Sequence, residues 1–117
     1  MILSGSLSEN KISGEEVSIK TLECLKNSVP NEVPGIAFLS GGQSEIEATE
    51  NLNLINKNNN TNFIMTYSYG RALQQSALKI WSNDTKNIEA TQTTFNHRAK
   101  MCTLAAQGKW SSELENK

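Results

Sequence analysis

The chain has 117 residues, of which 37% are hydrophobic and 20% are charged, so we expect a modest hydrophobic core. The formal net charge is -1, with basic and acidic residues scattered along the whole length. Binding to a nucleic acid or to an anionic membrane requires a basic surface patch, so we expect neither partner.

The cysteines and the first residues predict a cytoplasmic protein. Cys24 and Cys102 match no Cys/His spacing of a metal site, so both are expected to be free, buried thiols in a reducing compartment. The apolar start Met1-Ile2-Leu3 passes directly into Ser4-Gly5-Ser6. It is far shorter than a signal-peptide core or the roughly 20 apolar residues of a membrane span.

Residues 1–34 resemble a βα unit that lacks the beginning of its strand. Met1–Leu3 is predicted to be the end of a strand, and Ser4–Ser13 a polar loop. Apolar residues then recur at spacings of three and four, which predicts a helix from Gly14 to Val29 that ends at Pro30. The apolar residues of that helix are Leu22, Leu25 and Val29.

Residues 35–57 contain a second unit. The continuous apolar run Gly35–Leu39 predicts a strand buried on both faces, as in parallel sheets, and the loop Ser40–Gln43 ends it. Ser44 and Glu47 have the spacing of a capping box, which predicts a helix from Glu45 to Asn56. The inward residues of this helix are Ala48, Leu52 and Ile55.

The pattern repeats over residues 63–81, after an Asn-rich surface loop at Lys57–Asn62. Phe63–Tyr67 is predicted to be a strand, Ser68–Arg71 its loop, and the residues up to Trp81 a helix. The inward residues of that helix are Leu73, Ala77 and Ile80. Both tryptophans, Trp81 and Trp110, are interpreted as packing residues.

Residues 85–108 are predicted to contain a terminal helix, from Lys86 to Gln107, that lies across the outside and ends at Gly108. Its apolar stripe is Ile88, Phe95, Cys102 and Ala106. The tail, Lys109–Lys117, has little to bury besides Trp110, so we expect it to be mobile.

Repeated strand, glycine loop and helix predict an α/β fold with a parallel sheet and right-handed crossovers. A (β/α)₈ TIM barrel needs about 250 residues, so this chain would be roughly the last three-eighths of one, with a terminal helix behind it.

Both interior loops have a composition suited to phosphate. Small residues allow the backbone to approach a ligand closely, the following helix points unpaired N–H groups at it, and Arg71 adds a permanent charge. Loops after consecutive strands commonly form the phosphate site of a TIM barrel. The two candidate phosphate loops are Ser40-Gly41-Gly42 and Ser68-Tyr69-Gly70-Arg71.

Each of these signals has an ordinary structural alternative. A glycine loop is also the usual way to make a tight turn, and an arginine considered alone is more often a surface ion-pair residue. Glu45 and Glu47 are interpreted as complements of the helix dipole. His97 lacks neighbours typical of a catalytic base, so it receives no role.

The sequence of two long segments closely resembles the class I fructose-bisphosphate aldolase family. These segments are Gly35–Lys57 (GIAFLSGGQSEIEATENLNLINK) and Tyr67–Trp81 (YSYGRALQQSALKIW). Two shorter segments, His97–Lys100 and Gln107–Lys109, resemble the closing helix of the family. The resemblance therefore covers most of the chain, in order.

The resemblance implies that Ser40, Gly41 and Gly42 hold one substrate phosphate and that Ser68, Gly70 and Arg71 complete its site. The family reversibly cleaves fructose 1,6-bisphosphate to dihydroxyacetone phosphate and glyceraldehyde 3-phosphate. It uses a lysine Schiff base and needs no metal or other cofactor. The complete enzymes of the family are homotetramers.

The resemblance also implies that the Schiff-base lysine lies outside this chain, because Met1 aligns with the methionine of the family's Lys-Pro-Asn-Met stretch. We therefore expect an internal methionine at Met1, a C-terminal fragment of an aldolase, and no catalytic residue in the chain. The alternatives are a non-catalytic sugar-phosphate-binding module and a fragment without function.

Overall fold

The structure, a computed structural model, describes residues 1–116 and has the predicted α/β architecture. Its elements are α1 (Gly14–Ser28), β1 (Gly35–Phe38), α2 (Glu45–Asn58), β2 (Ile64–Tyr67), α3 (Arg71–Asn83), α4 (Ile88–Ala106) and a 3₁₀ helix (Ser112–Asn116). The two strands pair in parallel, with Gly35 opposite Ile64 and Phe38 opposite Tyr67. Each strand is followed by a helix, as the parallel pairing requires.

The strand predicted at Met1–Leu3 is absent, so residues 1–116 contain two strands rather than three. The backbone N–H of Ile2 donates a hydrogen bond of 2.9 Å to Thr21 Oγ1 on α1. The first residues are therefore attached to a helix side chain and not to the edge of β1.

The prediction that β1 is buried on both faces is wrong for this chain. Phe38 and Met65 are buried against the helices, whereas Leu39 is 71% exposed and Ile64 is 72% exposed. The helices of residues 1–116 pack on one face of the sheet, so apolar side chains on the other face stay open to solvent. The continuous apolar runs thus match a sheet that would be covered on both faces in a longer structure.

Helix α2 is the centre of the core, and its predicted inward residues are completely buried. Ser44 caps it, because its Oγ accepts a hydrogen bond of 3.1 Å from the N–H of Glu47. The helix packs against α1, α3 and α4. It continues two residues beyond the predicted end, to Asn58, whose side chain donates to Ser18 Oγ on α1 at 2.7 Å.

Four side chains of α1, α3 and α4 are exposed where the sequence predicted packing. Cys24 is exposed, and only Cys102 is a buried thiol within residues 1–116. Trp81 is exposed, together with Ile88 and Phe95 of the predicted α4 stripe. The buried face of α4 instead carries Arg98, Met101, Cys102 and Ala105. The predicted stripe shares only Cys102 with this face, because the face includes a buried arginine that an apolar pattern does not indicate.

The tail is attached to the fold, contrary to the expected mobility. Trp110 is buried, and its backbone N–H donates to Asn53 Oδ1 at 3.0 Å. The 3₁₀ helix that follows carries Glu115, which pairs with Arg98. Lys117, the last residue of the predicted tail, lies outside the described residues. Over residues 1–116, none of the helices combines the length and the apolarity needed to cross a bilayer.

Candidate phosphate site

The parallel pairing of β1 and β2 brings the two glycine loops to the same edge of the sheet. The N–H of Ser68 donates to the carbonyl oxygen of Phe38 at 2.8 Å, directly before both loops begin. Neighbouring strands lie about 4.8 Å apart, so the loops are neighbours in space. Each loop leads into the N-terminus of a helix, α2 or α3, where backbone N–H groups favour an anion.

The first loop needs glycine for its backbone conformation. Gly41 has φ 61° and Gly42 has φ 84°, in the left-handed region that disfavours other residues. A Cβ atom built on Gly42 would meet no atom within 4 Å, so the space beside it is open. Within residues 1–116, the N–H groups of Gly41 and Gly42 donate no hydrogen bond. They are free to donate to a ligand.

The second loop presents a free cation at the start of α3. Arg71 is exposed, and its guanidinium makes no hydrogen bond or ion pair within the described part of the chain. Gly70 is the N-cap of α3 and provides no side-chain cap. Arg71 therefore has no ion-pair partner among residues 1–116, contrary to its alternative interpretation as a surface ion-pair residue. Ser68 is exposed beside it.

Tyr69 holds the second loop against the core, a role that sequence reasoning missed. Its ring is buried, and its hydroxyl donates a hydrogen bond of 2.8 Å to the carbonyl oxygen of Ala48 on α2. Burial raises the pKa of the Tyr69 hydroxyl above its ordinary value, so the hydroxyl stays a neutral donor at physiological pH. An aromatic residue inside a glycine-bearing loop was the available signal.

A cleft of about 590 Å³ adjoins the first loop. Gly41 and Gly42 line it together with residues of the first segment, among them Ser4 and Lys11. The ammonium of Lys11 donates to the carbonyl oxygens of Gly5 and Ser6, at 2.6 and 3.1 Å. The other four predicted residues, Ser40, Ser68, Gly70 and Arg71, do not line this cleft. The six residues share one edge of the sheet without enclosing a single cavity.

A charged network behind the loops connects α2, α3, α4 and the tail. Glu45, predicted only as a dipole complement, accepts hydrogen bonds from the N–H and the hydroxyl of Ser76, at 2.8 and 2.6 Å. Arg98 lies 3.8 Å from Glu45 and forms a two-pronged pair with Glu115, at 3.0 and 2.9 Å. The first turn of α2 is therefore joined directly to α3.

Glu115 is held in its charged form by this network. Burial alone would raise the pKa of its carboxyl group, but hydrogen bonds from Arg98 and Trp110 and the charge of Arg98 lower the pKa below its ordinary value. His97 Nε2 lies 3.3 Å from Glu115 Oε2. His97 is therefore a residue of the tail contact.

No Schiff-base lysine is apparent among the described residues. All eight lysines of residues 1–116 are exposed, and none directly follows a strand. A lysine nucleophile needs a lowered pKa, which burial or a neighbouring cation would provide. Lys86, predicted to be helical, precedes α4. Within residues 1–116, no group of three or more His, Cys, Asp or Glu side chains could hold a metal ion.

Comparison with known proteins identifies the fold to which these loops belong. The family model "Fructose-bisphosphate aldolase class-I" matches residues 1–117. The chain belongs to the class I fructose-bisphosphate aldolase family. It is 47% identical over 116 residues to the chloroplastic fructose-bisphosphate aldolase 2 of Arabidopsis thaliana, covering 99% of this chain and 29% of that protein. It is 46% identical to fructose-bisphosphate aldolase 2 of Caenorhabditis elegans, covering 97% of this chain and 31% of that protein.

A solved aldolase structure has the same fold. The fructose-bisphosphate aldolase of Plasmodium falciparum, crystallised with TRAP and a small-molecule inhibitor, superimposes with a TM-score of 0.88 at 38% identity. The superposition covers 93% of this chain and 31% of the Plasmodium chain. The chain thus spans about a third of the length of the aldolases it matches, and its two-stranded sheet is part of an aldolase TIM barrel.

Proposed function

We propose that this chain supplies the substrate-phosphate site of a class I aldolase that reversibly cleaves fructose 1,6-bisphosphate to dihydroxyacetone phosphate and glyceraldehyde 3-phosphate. The observation that carries the proposal is the position of two glycine loops at one sheet edge, with free N–H groups in the first loop and the unpaired Arg71 in the second. Membership of the aldolase family supports the choice of substrate.

Each loop would contribute a different part of the phosphate contact. The left-handed Gly41 and Gly42 would donate backbone N–H groups, and the N-terminus of α2 would add its partial positive charge. Arg71 would bind phosphate oxygens with its planar guanidinium, which can donate two parallel hydrogen bonds. Ser40 and Ser68 would donate from their hydroxyl groups.

The carbon–carbon cleavage itself would require residues outside this chain. Because all the lysines of residues 1–116 are exposed, we assign the Schiff-base lysine to another segment of the barrel. The chain alone would bind sugar phosphate without cleaving it, which is the non-catalytic alternative. In the complete enzyme we propose a cytoplasmic homotetramer without a metal cofactor.

The test is the effect of Arg71→Ala on substrate binding in a complete aldolase that contains this segment. A charge-assisted hydrogen bond contributes about 1.5–3 kcal/mol, so affinity for fructose 1,6-bisphosphate in direct titration should fall roughly ten- to a hundredfold. Arg71→Lys should fall between wild type and alanine, because lysine keeps the charge and loses the two-pronged geometry.

Lys79→Ala is the matched control, since Lys79 is an exposed cation on the same helix, two turns further along α3. It should leave the affinity unchanged. Some loss of kcat in Arg71→Ala is expected, because a misplaced phosphate also misplaces the reacting carbonyl. Unchanged affinity in Arg71→Ala would remove Arg71 from the site.

A further inference from the structure

Gln43 is buried although it directly follows the exposed glycines of the first loop. It is 6% exposed, and its side chain turns back beneath the loop. Its Nε2 donates a hydrogen bond of 2.6 Å to the carbonyl oxygen of Ser40, and its Oε1 accepts one of 2.7 Å from Asn51 Nδ2 on α2. Asn51 is itself only 4% exposed. The two amides thus connect the start of the loop to the second turn of α2.

This arrangement exceeds what a tight turn needs. The turn is already closed by a backbone hydrogen bond of 3.2 Å from the N–H of Gln43 to the carbonyl oxygen of Ser40. Burying two further amide side chains is costly unless each is paired, so their pairing specifies one arrangement. Donation from Asn51 fixes the Gln43 amide with Nε2 towards Ser40. The Ser40 carbonyl is thereby held in place.

The held carbonyl belongs to the peptide group whose N–H is that of Gly41. Fixing the Ser40 carbonyl therefore also fixes the direction of the Gly41 N–H, because the peptide group is planar. That N–H is one of the two loop donors without a partner within residues 1–116. Gln43 Nε2 also lies 3.5 Å from Met1 Sδ, so the same side chain contacts the segment that precedes α1.

We propose that Gln43 and Asn51 are positioning residues for substrate phosphate: together they orient the Gly41 N–H through the Ser40 carbonyl group. The inference rests on the proposed function, because it assumes that this loop binds phosphate. Gln43 supplies the donor that holds the loop, and Asn51 sets the orientation of the Gln43 amide.

The experiment uses the complete aldolase containing this segment, with inorganic phosphate and fructose 1,6-bisphosphate as titrants. Gln43→Glu keeps the acceptor for Asn51 and loses the donor to Ser40. Asn51→Asp loses the donor that orients Gln43. The neutral variants Gln43→Met and Asn51→Leu lose the same hydrogen bonds without adding a negative charge beside the phosphate. Each of them should weaken binding of both titrants about three- to tenfold, the range for one lost neutral hydrogen bond. The neutral double variant, Gln43→Met with Asn51→Leu, should be no weaker than the poorer of its two single variants, because the two amides act as one unit.

Asn53→Asp is the matched control. Asn53 lies on the same helix and is 3% exposed. Its Oδ1 accepts a hydrogen bond from the backbone N–H of Trp110 and makes no hydrogen bond with loop residues 40–43. The variant introduces the same buried carboxylate as Asn51→Asp, so both variants should lower the melting temperature. Only Asn51→Asp should weaken phosphate binding. Gln43→Glu, in a loop and not in a helix, decides the question if Asn51→Asp does not fold.

The outcomes separate this inference from the proposed function. Wild-type phosphate affinity in Gln43→Glu and Asn51→Asp, with weakened affinity in Arg71→Ala, would overturn the positioning role alone. Equal weakening in Asn53→Asp would show that general destabilisation is the cause and would also overturn it. If Arg71→Ala binds phosphate as wild type does, the proposed function itself fails.

Discussion

The pairing of Glu115 with Arg98 should contribute strongly to stability, and Glu115→Ala tests this. The Glu115 carboxylate accepts hydrogen bonds from both terminal nitrogens of Arg98 and from Trp110 Nε1, the last at 2.7 Å. Its removal leaves the Arg98 guanidinium buried. That guanidinium would retain only the Thr49 hydroxyl at 3.1 Å and the more distant Glu45 carboxylate within residues 1–116.

The expected decrease in the free energy of unfolding follows from the partners that Arg98 loses. Breaking a buried ion pair by removing one member costs about 3–5 kcal/mol, because the other charge stays buried without compensation. The Glu115 side chain keeps 12% exposure and Glu45 still faces Arg98, so we expect the lower end, about 3 kcal/mol. Truncation also releases the tail, since Trp110 loses its indole hydrogen bond.

The assay is urea unfolding of the chain in an Ile64→Lys background, which removes an exposed apolar side chain from the open sheet face, followed by circular dichroism and by tryptophan fluorescence. Glu113→Ala is the control, because Glu113 is exposed on the same 3₁₀ helix and forms no ion pair within residues 1–116. The control should change the free energy of unfolding by no more than about 0.5 kcal/mol. If Glu115→Ala changes it as little as Glu113→Ala does, the network does not stabilise the fold and the reasoning is refuted.

Three further predictions concern pH, chemistry and assembly. Because the folded-state pKa of Glu115 is lowered, its stabilising contribution should be complete above the ordinary carboxyl pKa of 4.5 and be lost as pH falls through the folded-state value. Unfolding measured against pH should therefore depend less on pH in Glu115→Gln over that window; equal slopes would contradict this. Incubation of the chain with dihydroxyacetone phosphate and borohydride should yield no adduct by mass spectrometry, whereas stoichiometric trapping at one lysine would disprove the absence of a nucleophile. The open sheet face, with Leu39 and Ile64 exposed, should cause self-association in sedimentation that Ile64→Lys reduces. A monomer with a sharp cooperative melt would contradict that expectation.

Most of the helices and strands could be predicted from local features of the sequence, whereas the long-range contacts could not. The Ser44 and Glu47 spacing gave the start of α2, because a capping box depends on residues three apart. The pair of Arg98 and Glu115 joins residues seventeen apart on different elements, and no periodicity signals it. The exposure of Leu39 likewise depends on which other segments cover the sheet. A buried arginine and an open apolar face both depend on tertiary partners.

The candidate phosphate site shows the same division. Glycine content identified both loops, since a left-handed backbone favours glycine at Gly41 and Gly42. The anchoring of Tyr69 to Ala48 and the amide pair of Gln43 and Asn51 were missed, because their partners are eight or more residues away. The apolar or amide character of these loop residues was visible, but it did not specify a partner.

The bridge between Glu45 and Ser76 has a consequence for the entropy of ligand binding. One carboxylate at the first residue of α2 accepts two hydrogen bonds from α3, little more than one helical turn after Arg71. The two helix N-termini are therefore held together before any anion arrives. Ordering the backbone donors is part of folding, so under the proposed function less conformational freedom would be left to be lost on binding phosphate. Affinity can then come from few contacts, provided that the helix pair stays rigid.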